Sequence, residues 1–390
     1  MSKIVPPKKE YLDGLVEPLL QNTSGLAFVI GYVGPTFEEI YFKGNLGNQF
    51  GNSVPLGKDT HFELASVSKT FTATLSAVLG EKFKTGWETQ TIGNYNGTTG
   101  FQIGSQFDSI PLSTLLSYSS GLPADNFNGD DWPPEFPIPY TAAGMLGYLN
   151  MTNLAPIASP NVEYTYSNMG FGIIAQILPL FSTSLAARTF KDLISEFVLR
   201  PLGMPDTFFF EGVSIDAFPQ GYSFYNSATP YAVSPGWPFF DAWYGAGGVV
   251  STPKDMMTWL RFNMGLIDDK KDKALWKTLP AVQSPATNVL AFDTYQLGLG
   301  WFISPESDLP PGGAVWKDGE ITGTNTFIEF LPWVGTGKPS EAGVFVLTNC
   351  DSLQLGGNEV VATIANDVLL TMQGVTPPAD KSNYPRVFGR

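Results

Sequence analysis

Two side chains early in the chain have the types and the spacing needed for nucleophilic catalysis. Ser66 and Lys69 stand three residues apart, and apolar residues such as Phe71 and Leu75 continue with helical spacing, which predicts a helix over residues 66–80. Positions i and i+3 of a helix share a face, so the Lys69 amine is expected beside the Ser66 hydroxyl. A desolvated lysine can be the base that a serine needs before it attacks a carbonyl.

The same spacing also occurs where chemistry is not expected. Ser251 and Lys254 repeat it, but Thr252 suits a helix cap and Pro253 suits the first turn of a helix, which favours a structural role there. The Lys-Thr-Gly triplet at residues 84–86 is typical of a helix end. Spacing alone is therefore weak evidence, and the Ser66 site depends on further motifs.

Composition removes several classes of enzyme. The 390 residues include a single histidine, His61, and a single cysteine, Cys350. A Ser-His-Asp triad would have to use His61, and no G-x-S-x-G elbow occurs. Zinc sites built from several histidines or cysteines, and a disulfide within the chain, are excluded. We predict no metal and no organic cofactor, a packing or surface role for His61 and a core position for Cys350.

Charge and hydropathy limit the partners and the location. The net charge is −14 and no basic run occurs, which argues against nucleic acid. Residues 11–20 are interrupted by Asp13, Glu17 and Pro18, so they form neither a secretory signal nor a membrane span. The chain as written is expected in the cytoplasm, or in the periplasm or outside the cell if a leader has been removed. We expect a small-molecule or peptide substrate, and the oligomeric state follows from no feature of the sequence.

Two later motifs add groups that suit acyl transfer. Tyr166 and Asn168 open the next strong helix, where a tyrosine can pass protons and an asparagine can donate and accept hydrogen bonds. Tyr148 and Asn150 have the same spacing, but they end an apolar helix, and Tyr148 is expected in the core. Residues 317–319, Lys-Asp-Gly, follow a predicted strand and bring a second lysine.

The elements that must position these groups fall into two regions. Strands are expected at both ends of the chain, at residues 25–32, 37–44, 297–304, 314–316, 326–331 and 343–348. Helices are expected at 10–21 and 358–372, and between the strands near 111–119, 140–150, 166–180, 188–199 and 253–265. We therefore predict a lobe built from residues 1–75 and 276–390, a mainly helical lobe from residues 76–275, and an active site in the cleft between them.

The order S-x-x-K, Y-x-N and K-x-G resembles the signature of serine β-lactamases and penicillin-binding proteins. The surroundings are most similar to class C β-lactamases and to the esterases and D-peptidases related to them. Further matching stretches are residues 115–123, 201–204, 234–236, 244–245 and 299–301, and the resemblance extends over residues 10–373. It implies an α+β fold, in which an antiparallel β-sheet flanked by N- and C-terminal helices carries an inserted all-helical lobe.

The resemblance also implies catalytic roles. Ser66 would be acylated, and Lys69 would take its proton or shuttle it, with Lys317 close enough to keep Lys69 neutral through like-charge repulsion. Tyr166 would protonate the leaving group and activate the deacylating water. Whether Lys69 or Tyr166 is the primary base stays open.

The remaining implied roles concern the substrate. Asn168 would orient the neighbouring lysine and the substrate amide. The backbone N–H groups of Ser66 and Glu320 would form the oxyanion hole, next to Gly319, the glycine of K-x-G. Tyr244 would line the substrate pocket.

Two departures from the β-lactamase pattern bear on the substrate. Asp318 stands where those enzymes usually have a threonine that helps to bind the antibiotic's carboxylate, and an ionised Asp318 would repel an anion. Asp125, followed by Asn126, stands where they have a glutamine that meets the substrate's side-chain amide. We therefore expect an acyl hydrolase for neutral or amine-bearing esters, amides or D-peptides. A class C-like β-lactamase, and a slowly deacylating penicillin-binding sensor or acyltransferase, stay open as alternatives.

Overall fold

The computed structural model describes residues 3–21, 23–98, 100–123, 141–185, 187–209, 218–227, 229–233, 241–267, 273–381 and 384. The strands of these residues are, in chain order, β1 (Ala27–Gly34), β2 (Phe37–Gly44), β3 (Leu46–Gly47), β4 (Ser53–Val54), β5 (Phe62–Glu63), β6 (Phe208–Phe209), β7 (Gly221–Ser223), β8 (Tyr231–Val233), β9 (Val249–Ser251), β10 (Leu290–Ala291), β11 (Tyr295–Leu297), β12 (Phe302–Ile303), β13 (Val315–Ile321), β14 (Thr324–Phe330), β15 (Gly343–Thr348), β16 (Cys350–Asp351), β17 (Gln354–Leu355) and β18 (Asn358–Glu359).

One eight-stranded sheet joins the two ends of the chain. Its strand order is β10-β11-β12-β13-β14-β15-β1-β2, and every neighbouring pair is antiparallel. The N-terminal hairpin meets the C-terminal strands where β1 pairs with β15, with Phe28 opposite Thr348. All of β1 is buried, as expected for a central strand that is covered on both faces.

Helices cover the sheet and fill the stretch between its two parts. They are, in chain order, α1 (Lys9–Leu20), α2 (Ser68–Phe83), α3 (Leu112–Leu116), α4 (Ala142–Leu149), α5 (Asn168–Ile177), α6 (Phe190–Ile194), α7 (Arg200–Leu202), α8 (Tyr244–Gly247), α9 (Pro253–Asn263), α10 (Lys273–Gln283) and α11 (Val360–Met372). The first helix packs on β2 and the last on β14 and β15, and Tyr11 Oη joins the two by donating to the Asp367 carbonyl at 3.4 Å. The predicted fold class, an antiparallel sheet flanked by terminal helices, is confirmed.

The structure interrupts one predicted strand. Residues 297–304 were expected to be continuous, but β11 ends at Leu297 and β12 begins at Phe302. Gly300, between them, has a φ of +76°, and a Cβ atom there would lie 2.8 Å from the Lys69 carbonyl oxygen. The interruption therefore lets the backbone of this loop pack directly against α2, which glycine alone permits.

Two further differences concern the inserted stretch. It is not wholly helical, because β6 and β9 form a small sheet with β5, and β7 and β8 form another with β16. No helix was predicted over α10, which contains Pro280 and crosses the predicted lobe boundary at residue 276. A proline within a helix removes a hydrogen bond, and in α10 packing against α2 offsets that loss.

The helix that carries Lys69 lies at the centre of the molecule. Every residue of α2 from Ser68 to Gly80 is buried, as is typical of a helix surrounded by protein. Its hydroxyl groups find partners inside the fold, since Thr72 Oγ1 donates to the Gly245 carbonyl at 2.7 Å. We infer that Lys69 projects from a rigid element.

In the part of the chain that the structure describes, no helix combines the length and the apolar character that crossing a membrane requires.

Candidate active site

Ser66 lies in a single 3-10 turn, Ala65–Val67, which leads directly into α2. Ser66 is partly exposed, whereas Ala65 and Val67 on either side are buried. Ala65 has a φ of 46°, a left-handed conformation that costs a residue with a Cβ atom about 1–2 kcal/mol. The chain therefore holds the serine at a strained turn, a feature that recurs at functional sites.

Lys69 is completely buried and makes three hydrogen bonds through its amine. The Nζ atom lies 2.9 Å from Ser66 Oγ, 2.7 Å from Asn168 Oδ1 and 2.8 Å from the Ala246 carbonyl oxygen. An ammonium group has three donors, and each has an acceptor here. An ammonium form of Lys69 would thus have all three donors paired, as burial of a charge requires.

Tyr166 reaches the same serine from the inserted stretch. Its hydroxyl donates to Ser66 Oγ at 2.7 Å. Ser167 caps α5 by accepting a hydrogen bond from the Gly170 amide, so Tyr166 lies just outside the helix and Asn168 is its first residue. The Y-x-N spacing therefore spans a helix cap, and this directs both side chains to Ser66 and its lysine.

Lys317 brings a second amine from β13. Its Nζ atom lies 5.4 Å from the centre of the Tyr166 ring, and Lys69 Nζ lies 4.8 Å from the same centre. Burial lowers the pKa of Lys317, and the Asp318 and Glu359 carboxyl groups act in the opposite direction. Its amine donates to Asp318 Oδ1 at 2.6 Å and to the Asp318 carbonyl at 2.8 Å.

Gly319 allows β13 to approach the serine turn. A Cβ atom at this position would lie 2.4 Å from the Leu64 carbonyl oxygen and 3.0 Å from the Ser66 amide nitrogen, so any side chain would push the strand away. Thr326, opposite Gly319 on β14, donates to the same Leu64 carbonyl at 2.9 Å. The backbone at Gly319 thus lies close to the Ser66 amide.

The other predicted site residues that the structure describes contact residues other than Ser66. The Glu320 carboxylate accepts a hydrogen bond from Asn325 Nδ2 at 2.9 Å. Tyr244 is buried on α8, with its ring 5.0 Å from that of Phe209 and 5.3 Å from Lys191 Nζ. Burial, with a smaller contribution from the Asp241 charge, raises the pKa of Tyr244. The pocket role of Tyr244 stays a prediction, as does the use of the Glu320 amide, and Asp125 and Asn126 lie outside the described residues.

The second S-x-x-K match has the structural role that its context predicts. Thr252 caps α9 by accepting a hydrogen bond from the Asp255 amide at 3.3 Å. The Lys254 side chain is 49% exposed, in contrast to the fully buried Lys69. At the other false match, Lys84 ends α2 with a φ of 52°.

The single histidine and the single cysteine of the chain lie in apolar surroundings. The His61 ring contacts the Phe208 ring at 5.1 Å. Cys350 is buried, and burial raises the pKa of its thiol to about 12. Among the described residues, no group of three or more histidines, cysteines, aspartates and glutamates could hold a metal ion.

Sequence reasoning missed two groups at the site. The Ala246 carbonyl binds Lys69, and a main-chain acceptor leaves no signal in a sequence. Tyr118 stacks on Tyr166 with ring centres 5.3 Å apart and donates to the Gly300 carbonyl at 3.0 Å. The sequence did contain a signal for Tyr118, because this residue lies in the stretch 115–123, which resembles the β-lactamase family.

The chain matches a protein-family model described as Beta-lactamase over residues 12–362. A "Beta-lactamase" of Pseudomonas fluorescens is 27% identical over 387 residues, covering 97% of this chain and 94% of the relative. A "D-alanyl-D-alanine-carboxypeptidase/endopeptidase AmpH" of Escherichia coli K12 is also 27% identical, over 280 residues that cover 70% of this chain and 66% of the relative.

Solved structures share the fold. A class C β-lactamase in complex with cefoxitin has a TM-score of 0.71 at 21% identity, covering 93% of this chain and 98% of that one. An octameric penicillin-binding protein homologue from Pyrococcus abyssi also has a TM-score of 0.71, at 16% identity, covering 96% of this chain and 78% of that one. Because the family model spans most of the chain, the chain belongs to the beta-lactamase family and is a serine hydrolase.

Proposed function

We propose that the protein hydrolyses esters, amides or D-peptide-like substrates through an acyl-enzyme on Ser66. The observation that supports this most strongly is the pair of short contacts at one oxygen. Ser66 Oγ lies 2.9 Å from Lys69 Nζ and 2.7 Å from Tyr166 Oη. Both are within the distance over which a proton can be transferred directly.

Acylation begins when the Ser66 proton moves to Lys69 Nζ, which accepts it as the neutral amine, or to a deprotonated Tyr166 oxygen, with Lys69 then present as the ammonium ion. The serine oxygen then bonds to the substrate carbonyl carbon, and negative charge develops on the carbonyl oxygen. Asn168 and the Ala246 carbonyl hold the Lys69 amine in place, so little reorganisation is needed. In the route through Tyr166, the two amines close to its ring are positively charged and stabilise negative charge on its oxygen.

Collapse of the tetrahedral intermediate releases the leaving group. Tyr166 gives that group a proton, and then takes one from the water that attacks the acyl-enzyme. The backbone N–H groups of Ser66 and Glu320 stabilise the oxyanion in both steps. The close approach of Gly319 to the Ser66 amide supports this pairing, because it brings the backbone of β13 to the nucleophile.

We also propose that the site lies in a cleft between two lobes. One lobe consists of residues 1–75 and 276–390, and the other of residues 76–275. The origin of the side chains supports this division. Lys317 comes from the large sheet, Tyr166 comes from the inserted stretch, and Ser66 lies at the start of the helix between them.

The substrate class follows from the pairing of Lys317. A substrate carboxylate would seek this amine, but Asp318 Oδ1 already occupies it at 2.6 Å. An anion would have to displace a carboxylate that is attached to the next residue, and would meet its negative charge. We therefore favour substrates without an anionic group at this point.

A class C-like β-lactamase is the second candidate. Its support is the likeness to the Pseudomonas fluorescens "Beta-lactamase", which extends over 94% of that protein. A slowly deacylating penicillin-binding sensor or an acyltransferase would use the same acylation step.

Rates on two chromogenic substrates separate these functions. We expect a short-chain nitrophenyl ester to be hydrolysed faster than a chromogenic cephalosporin, and Ser66→Ala to abolish both activities. A cephalosporin rate that is higher by a factor of about a thousand would overturn the preference and make the protein a β-lactamase. A persistent penicillin adduct on Ser66, seen by intact-mass measurement, would favour the sensor.

A further inference from the structure

One oxygen of the Asp318 carboxylate is available to a ligand. Lys317 Nζ binds Oδ1 at 2.6 Å and the Asp318 carbonyl at 2.8 Å. Among the described residues, Oδ2 receives no hydrogen bond, and the Asp318 side chain is 19% exposed. A carboxylate oxygen can accept several hydrogen bonds, so Oδ2 can accept one from a bound substrate.

The charges around Asp318 favour a cation. Asn325 Nδ2 bridges the carboxyl groups of Glu320 and Glu359, at 2.9 and 3.1 Å. Burial, followed by the charges of Glu320 and Asp318, raises the pKa of Glu359 well above its usual value. Asp318 is the carboxylate that contacts Lys317, and Glu320 lies two residues further along β13 and adds negative charge beside Glu359. The net charge of −14 on the chain acts in the same direction at longer range.

Aromatic rings lie on the same side of the site. Tyr164 lies 4.9 Å from Phe292 and 6.2 Å from Phe302 between ring centres, and Lys317 Nζ lies 5.4 Å from the centre of the Phe302 ring. Burial raises the pKa of Tyr164, and the charge of Asp318 adds to that effect, which places the phenol within the field of the carboxylate. Ring faces carry partial negative charge and attract cations.

The outermost ring is held in place by an unfavourable backbone. Phe292 has a φ of 53° and Asp293 a φ of 57°, at the turn that joins β10 to β11. This conformation suits glycine and asparagine, and for a bulky residue it is an outlier. Phe292 nevertheless stays 39% exposed, so the strain is not repaid by burial in the core. Strain of this kind is maintained at binding sites.

We propose that Asp318, with the rings of Tyr164 and Phe292, binds a cationic group on the leaving-group side of the substrate, as a protonated amine or a quaternary ammonium. The side follows from Lys317, which lies over the ring of Tyr166, the proton donor to the leaving atom. This inference rests on the proposed function and specifies its substrate class.

Three thioesters whose leaving thiols differ in charge test the subsite, and the first two of them have the same shape. They are acetylthiocholine, its neutral isostere S-(3,3-dimethylbutyl) thioacetate, and the anionic S-acetyl-3-mercaptopropionate. We expect kcat/KM for the cation to exceed that for the neutral isostere by about tenfold. In Asp318→Asn this ratio falls to about one, since the carboxylate is lost. In Phe292→Leu it falls by about threefold, since only a ring face is lost.

The ratio of two rates on one enzyme is independent of the fraction that folds. Glu341→Gln is the matched control, because Glu341 is exposed and its loss changes the net charge by the same amount. The control is expected to keep the wild-type ratio. A wild-type ratio near one, or an unchanged ratio in Asp318→Asn, overturns the subsite, and a fall in the control shows a general effect of charge and also overturns it.

The outcomes separate the subsite from the proposed function. Hydrolysis that survives Ser66→Ala overturns the acyl-enzyme and the subsite together, whereas Ser66-dependent hydrolysis without a cation preference overturns the subsite alone. If the thioesters are not cleaved, choline and 3,3-dimethylbutanol are compared as inhibitors of nitrophenyl ester hydrolysis. Stronger inhibition by choline, lost in Asp318→Asn, supports the subsite, and equal inhibition overturns it.

Discussion

The two faces of the sheet bury ionisable groups in opposite ways. Lys317 on β13 pairs with Ile328 on β14, so the side chain of Glu329, the next residue, points to the other face. Both Lys317 and Glu329 are completely buried. Lys317 has a carboxylate partner at 2.6 Å, whereas neither carboxyl oxygen of Glu329 has a hydrogen-bond partner among the described residues.

The difference shows which charges the fold maintains. On the face towards Ser66, Lys317 has Asp318, and Lys69 on the neighbouring α2 has three acceptors, so both amines can be charged in spite of burial. On the far face, burial raises the pKa of Glu329 well above its usual value, and the charge of Asp367 on α11 adds to the shift. The folded protein therefore favours the neutral form of Glu329. The fold thus pairs the buried lysines beside Ser66 with acceptors, whereas it leaves the buried carboxyl group of Glu329 without a partner among the described residues.

Removing the buried amine at the serine is expected to have the largest effect. Lys69→Met should lower kcat/KM for a nitrophenyl ester by about a thousandfold or more, because Ser66 loses either its base or the positive charge that stabilises an ionised Tyr166. Lys254→Met, at the exposed S-x-x-K match, is the control and should change the rate by less than about twofold. A Lys69→Met enzyme that keeps a substantial part of the wild-type rate would show that Lys69 does not activate the serine.

Tyr166→Phe is expected to have the next largest effect, and the loss should depend on the leaving group. We expect kcat/KM, which reports the acylation step, to fall by about a hundredfold for an alkyl ester, whose leaving oxygen needs a proton. The fall should be smaller for a nitrophenyl ester, whose leaving group needs none. Equal losses on both substrates would assign Tyr166 to acylation or positioning in place of leaving-group protonation.

On the far face, replacing Glu329 should stabilise the protein. Glu329→Met keeps the size of the side chain and removes an unpartnered polar group, so the free energy of unfolding should rise by about 1–3 kcal/mol. Denaturant unfolding at neutral pH measures the change. The exposed Glu341→Met is the control and should change stability by less than about 0.5 kcal/mol, and a destabilised Glu329→Met would indicate a partner for that carboxyl.

The same variant should alter the dependence of stability on pH. A carboxyl whose pKa is raised in the folded state binds protons more tightly in the folded protein than in the unfolded chain. Its protonation therefore stabilises the folded state fully below the unfolded pKa of 4.5, and this stabilisation is lost as pH rises through the folded pKa. The gain from Glu329→Met should therefore be larger at about pH 8 than at about pH 4. A gain independent of pH would mean that Glu329 titrates normally.

The smallest expected effect concerns the turn before the serine. Ala65→Gly relieves a left-handed φ of 46°, and after the entropy cost of glycine we expect a gain of about 0.5–1 kcal/mol in the free energy of unfolding. Ala73→Gly, within α2, is the opposite case and should cost about 1 kcal/mol. Equal losses in both variants would show that the turn at Ala65 is not strained.

Local patterns predicted much of the fold. The strand Phe37–Gly44 was predicted at its observed bounds, because alternating side chains and a Gly-Pro turn are encoded within a few residues. The motifs around Ser66, Tyr166 and Lys317 were also visible, since each depends on residue type and short spacing. The gap at Gly300 and the Ala246 carbonyl were not, because they arise from contacts with α2 that are distant in sequence.

The ion pair between Lys317 and Asp318 shows more clearly what sequence patterns cannot predict. Neighbouring residues of a strand point to opposite faces, so the sequence argues against contact between Lys317 and Asp318. β12 pairs with β13 only as far as Trp316, and in the described residues no strand pairs with that edge beyond it. Along this open edge the Asp318 side chain can turn towards the amine. Sequence patterns place residues on faces, and they do not show where a neighbouring strand ends.

Trapping the covalent intermediate tests the central claim most directly. The protein is mixed with a nitrophenyl ester, quenched in acid during turnover, and analysed by intact mass and peptide mapping. We predict an adduct with the mass of the acyl group on Ser66, absent from Ser66→Ala and strongly reduced in Lys69→Met. Steady turnover with no adduct, or an adduct on another residue such as Ser251, would contradict the account.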